Sequence, residues 1–86
     1  MIRIELFGVP RLRAECDVVD VDAETLGSAL RELERACPAL SPGVVEDGRL
    51  SQAYLVALNG RQFTSDPETA LRDGDVLVLV SAQAGG

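Results

Sequence analysis

The run Val76-Leu77-Val78-Leu79-Val80 constrains this chain more than any other stretch, because all five successive positions are apolar. A strand with one wet face alternates apolar and polar residues; a strand without alternation is covered on both faces. The run therefore predicts a central strand, with earlier strands on either side of it in the sheet. Something must cover it above and below.

One cover is a helix. Thr25 is the predicted N-cap, with Ser28 three residues on in place of the usual capping-box glutamate. Asp22 and Glu24 bring negative charge to the positive end of the helix dipole. Leu26, Ala29, Leu30, Leu33 and Cys37 recur at helical spacing and form one apolar stripe, with Arg31, Glu32, Glu34 and Arg35 on the other side. Gly27 costs the helix a little. Pro38 ends it, since a residue before proline resists the helical region. No second helix is predicted to cover the other face of the sheet. That face is expected to stay partly exposed and apolar, which is the mark of a partner site.

The remaining elements follow from alternation and turn chemistry. Residues 2–7 alternate, with Ile2, Ile4 and Leu6 on one face and Arg3, Glu5 and Phe7 on the other. Phe7 stands where the pattern calls for a polar residue. Gly8 and Pro10 break the strand. A second strand is predicted over 15–21, with Val19 and Val21 inward, and a short loop between the two suggests an antiparallel hairpin. Residues 39–52 read as an irregular loop with room for one helical turn. Strand 54–58 leads into Asn59-Gly60, a strong hairpin signal because both turn residues take positive φ. Residues 61–63 would return, Asp66-Pro67 would turn, and Asp73-Gly74-Asp75 would turn tightly into the apolar run. The order strand, strand, helix, strand, short strand, strand is an α+β pattern: a β-grasp, with a mixed four- to five-stranded sheet packed on one helix. The domain is expected over 1–80. Residues 81–86 are tiny apart from Gln83 and are expected to form a flexible arm, reaching roughly 20 Å if extended.

Composition excludes several functions. Eighty-six residues support one modest core, and with 3% aromatic residues that core must be aliphatic. The net charge is −6, so the cationic footprint of a nucleic-acid binder is missing. All eight basic residues are arginine. The acidity suits steering toward a basic protein partner. No apolar run approaches the roughly 20 residues that span a bilayer, so no membrane partner is expected. No leader pattern is visible, and two cysteines are too few for a disulfide framework, so a cytoplasmic protein with reduced thiols is expected. Cys37 reads as core and Cys16 as non-catalytic. There is no histidine, no plausible triad and no phosphate-cradling glycine loop, so no enzyme is expected. Asp73 and Asp75 read as turn residues, and no metal site is expected.

The Asp73-Gly74-Asp75 turn, the apolar last strand and the ending Gly85-Gly86 resemble the bacterial sulfur-carrier family, the ThiS/MoaD type. That family includes the small subunit of molybdopterin synthase and the carrier of the thiamine pathway. The opening Ile2-Arg3-Ile4-Glu5-Leu6-Phe7-Gly8 with Arg11 is similar to the molybdopterin synthase small subunit. The resemblance implies that Gly86 is adenylated and converted to a thiocarboxylate, at the end of a tail formed by Gln83, Ala84 and Gly85. Glycines there let the backbone thread a narrow channel. It also implies recognition beside the arm, for which Phe7, Val80, Val78 and Arg11 are the candidates. The implied partners are a ubiquitin-activating-like adenylyltransferase, a sulfur donor protein and an acceptor enzyme, of which the large subunit of molybdopterin synthase is one candidate. ATP and magnesium would be used by the activating enzyme; no cofactor would be bound here. Length and the first strand favour molybdenum cofactor biosynthesis. Ser81-Ala82-Gln83 stands where that type carries Pro-Pro-Val, which leaves cysteine, thiamine or secondary-metabolite sulfur open. Two other classes compete: a ubiquitin-like modifier joined to lysines through Gly86, and a non-covalent interaction domain.

Overall fold

The structure is a computed structural model that describes residues 1–82. Its first strand, β1 (Ile2–Glu5), puts Ile2 and Ile4 in the core, and Leu6 just beyond it is also buried. The short loop expected next is instead a helix, α1 (Gly8–Ala14). Gly8 and Pro10, read as breakers, begin it. Gly8 turns the chain at φ 60°, and Pro10 falls in the first turn, where an amide N–H has no intrahelical partner. Glu15 closes α1 in the left-handed conformation, its N–H donating to the Arg11 carbonyl at 2.9 Å. Strand β2 (Val18–Val21) pairs antiparallel with β1 as expected, with Ile2 opposite Val21 and Ile4 opposite Val19.

Helix α2 (Leu26–Ala36) carries the predicted cap. Ser28 N–H donates to Thr25 Oγ1 and Thr25 N–H to Ser28 Oγ, both at 3.2 Å, so a serine hydroxyl performs the reciprocal role usually taken by glutamate. All five stripe residues are buried.

Residues 39–52 are more ordered than a loop. A 3-10 turn (Pro38–Leu40) leads to a two-stranded hairpin, β3 (Val45–Glu46) and β4 (Arg49–Leu50), which closes the core with Leu40, Val44 and Val45. The turn is Asp47-Gly48, with φ of 52° and 76°. A Cβ at Gly48 would lie 2.9 Å from the Gly27 carbonyl oxygen, so glycine lets the hairpin lie directly on α2.

Strand β5 (Tyr54–Leu58) turns through Asn59 and Gly60, at φ 53° and 69°, into β6 (Gln62–Thr64), one residue later than expected. The last strand, β7 (Val76–Ser81), includes Ser81, one residue beyond the expected domain boundary. The main sheet has the order β2-β1-β7-β5-β6. Only β1 and β7 run parallel. The apolar run is thus the middle strand, as its pattern required, and the architecture is the α+β β-grasp with α1 and a small hairpin added.

Candidate functional site

Strand β7 sorts its side chains by face. Leu77 and Leu79 point into the core, while Val76, Val78 and Val80 are half-buried on the side that α2 does not cover. Cross-strand partners share a face. Val78 lies opposite Ala57, Ala57 opposite Phe63, and Val80 opposite Leu55. The open face therefore carries an apolar strip from Val78 through Ala57 to Phe63, with Val80 and Leu55 beside it. Phe63 is 66% exposed. On the other flank Glu5 pairs with Val78 and Arg3 with Val76, so the strip has a charged border.

The candidate residues fall into two groups. Val78 and Val80 are together on this face. Phe7 sits at the same end: the parallel ladder stops at Glu5–Val78, and two residues further along each chain come Phe7 and Val80. Phe7 is the N-cap of α1 in extended conformation and is 54% exposed, so the 39–52 segment does not bury it. Arg11 lies on a separate element, in the last turn of α1, exposed. Among the described residues no carboxylate forms an ion pair with it. Leu55, Ala57 and Phe63 were not singled out from the sequence. Their signal was the Asn59-Gly60 turn, which fixes the register and hence which residues of β5 and β6 join Val78 and Val80.

Both ends of β7 are fastened. At its start the Asn59 side chain bridges: Oδ1 accepts from Val76 N–H at 2.8 Å and Nδ2 donates to Asp75 Oδ1 at 2.9 Å. Asp75 Oδ2 also accepts from Arg72 N–H at 2.8 Å. The Arg72 amide, and then Asn59, hold the Asp75 carboxyl below the usual carboxylate range. Asp75 is thereby a turn clamp, and the described residues contain no group of three potential metal ligands. At its far end Ser81 pairs with Tyr54, and Ala82 N–H donates to the Ala53 carbonyl at 2.7 Å. Gln83, Ala84, Gly85 and Gly86 lie outside the described residues.

An open groove of about 920 Å³ runs between α2, β4 and residues 65–68. It carries opposite charges, Arg31 and Arg49 beside Asp47 and Glu68. Among the described residues no helix is long and apolar enough to cross a membrane.

A mixed sheet gripping one long helix, with an apolar open face around its middle strand, defines a β-grasp protein of the ubiquitin-like class. The model of the ThiS family matches residues 4–86, and the chain belongs to that family, the sulfur-carrier kind of ubiquitin-like protein. Among solved structures, SAMP1 from Haloferax volcanii is 32% identical, with 99% of this chain and 98% of that chain covered and a TM-score of 0.77. The Amycolatopsis orientalis BexX/CysO complex matches at 19% identity over 100% of both chains, with a TM-score of 0.81. The complex of subunits 1 and 2 of molybdopterin-converting factor from Helicobacter pylori matches at 24% identity over 99% of this chain and 97% of that one, with a TM-score of 0.62. These last two show the fold alone. No curated protein matches the chain.

Proposed function

We propose that this protein carries sulfur on the α-carboxylate of Gly86 and is a substrate of its partner enzymes, not a catalyst. A free α-carboxylate has a reference pKa of about 3.5, is ionised at neutral pH and is a poor electrophile. An activating enzyme using ATP and magnesium would join it to AMP, releasing pyrophosphate. A sulfur donor protein would then displace AMP and leave a thiocarboxylate. The observation that carries this reading is the family match, which runs through Gly86 and contains the terminal Gly85-Gly86.

The open face around Val78 and Val80, with Phe7 at its end, is the proposed docking surface, and Arg11 is the proposed charged contact. It fits that two of the similar structures are complexes with a second protein. A molybdopterin precursor is the favoured acceptor, on the length and first strand of the chain; cysteine, thiamine and secondary-metabolite routes are the alternatives. The proposed setting is cytoplasmic.

The test is intact-mass measurement after incubation with an activating enzyme, ATP, magnesium and a sulfur donor. The expected product has gained the mass difference between sulfur and oxygen, and the gain vanishes when Gly86 is deleted. An unchanged terminus under those conditions sinks the proposal. A second reading, a protein modifier, is favoured by the 32% identity to SAMP1, since a closely similar structure from the same organism is described as small archaeal modifier protein 1. Its distinct product is Gly86 in amide linkage to a lysine of another protein. This chain has no lysine, so its copies cannot be chained through their own side chains.

A further inference from the structure

One row of the open face crosses all five strands of the main sheet. It runs from Val18 of β2 through Glu5 of β1, Val78 of β7 and Ala57 of β5 to Phe63 of β6, each in register with the next. Cross-strand partners share a face, so the apolar strip does not end at β1. It resumes beyond Glu5 at Val18, which is 40% exposed. Glu5, itself half-buried, is thus a single carboxylate set inside an apolar row. Leu6 N–H donates to the Asp17 carbonyl at 2.8 Å, which makes Glu5 and Val18 a non-hydrogen-bonded pair, the kind whose side chains approach most closely. The nearest cation on the same face, Arg3, is engaged with Asp20, its Nε 3.5 Å from Oδ1. Among the described residues no cation forms an ion pair with Glu5.

A carboxylate left in water needs no partner. Covered by an apolar surface, it loses its hydration and is costly unless a cation meets it. A protein docked over Val18, Val78, Ala57 and Phe63 covers Glu5 as well, since Glu5 stands between them. We infer that the docking partner presents an apolar surface with one arginine side chain placed to meet Glu5, and that Glu5 selects which proteins dock here. This rests on the open face being the docking surface for the activating enzyme, and adds the residue that chooses the partner. Arginine suits the position better than lysine, because a planar guanidinium meets a carboxylate through two parallel N–H bonds and is less strongly hydrated. A second copy of this chain is a poor occupant. Each copy carries −6, and the row has no basic residue to offer another copy's Glu5.

The test measures association and dissociation rates of the full chain with the adenylyltransferase that activates it. Glu5→Gln removes the charge and keeps the shape. It should weaken binding about tenfold or more, mainly through faster dissociation, and leave the urea midpoint unchanged. Glu5→Leu makes the row apolar throughout and should also weaken binding, because the partner's cation is left unpaired. Glu46→Gln, an equal loss of charge on the hairpin over α2, should change binding by less than about twofold. Unchanged or tighter binding by either Glu5 variant, an equal loss with Glu46→Gln, or a dimer of the unsubstituted chain that Glu5→Gln dissolves would each overturn the inference. Val80→Asp separates the two ideas. Normal binding by that variant removes the open face as the docking surface and this inference with it, whereas a sensitive Val80 beside an indifferent Glu5 removes the arginine contact alone.

Discussion

At the scale of single residues, the fold depends on a few groups that do more than fill space. Asn59 takes a positive φ in the β5–β6 turn and also bridges to the start of β7. Asn59→Ala removes both side-chain bonds, and a loss of about 1–3 kcal/mol in urea unfolding is expected. Asp75 adds a pH dependence with a definite sign. Its folded-state pKa lies below the unfolded value, so its contribution is fully present above about pH 4 and fades as pH falls through the lowered value. Asp75→Asn should flatten the acid limb of the stability curve below about pH 4 and leave its neutral-to-alkaline shape alone. Gly48→Ala combines positive φ with a contact on helix backbone, and a loss of about 1–3 kcal/mol is expected by the same measurement. The sequence contained the signal for Gly48: Asp47-Gly48 is a hairpin dipeptide as good as Asn59-Gly60. It was hidden because its flanking strands have two residues each, too short to show alternation.

At the scale of elements, legibility followed length and one-sidedness. Helix α2 was readable because eleven residues repeat an apolar stripe and a cap marks the start. Thr25→Ala should cost it about 1 kcal/mol, and Leu33→Ala, at a fully buried position, about 2–5 kcal/mol, both measurable by urea unfolding. Helix α1 was not readable. It has seven residues, and Leu12, which a stripe would bury, is 76% exposed. It packs through Pro10 and Ala14, residues that signal a break and almost nothing, respectively. Its place in the fold is a tertiary effect, since so short a helix is not stable alone.

At the scale of the whole molecule, the sequence showed that one face of the sheet would lack a cover, because it offered one helix for a strand apolar on both sides. It did not show the width of that face, which depends on strand order. Once β5 and β6 lie beside β7, Leu55, Ala57 and Phe63 enlarge the strip around Val78 and Val80. If this face is the docking surface proposed above, Val80→Asp should weaken binding to the proposed activating enzyme about tenfold or more, while the urea midpoint changes little; titration of the complex and unfolding of the free chain separate the two effects. Because the chain carries a net charge of −6, raising salt should slow association with a basic partner more than it speeds release. The parallel pairing of β1 with β7 also has a mechanical consequence. The first residue of β1 and the last residue of β7 lie at opposite ends of the sheet, and the bonds joining the strands run across them. A partner that draws the outgoing end into a channel, against an anchor near Met1, would load those bonds side by side in shear. They would have to rupture together, so such a tug is resisted by the middle of the sheet and not spent in peeling one strand from its edge.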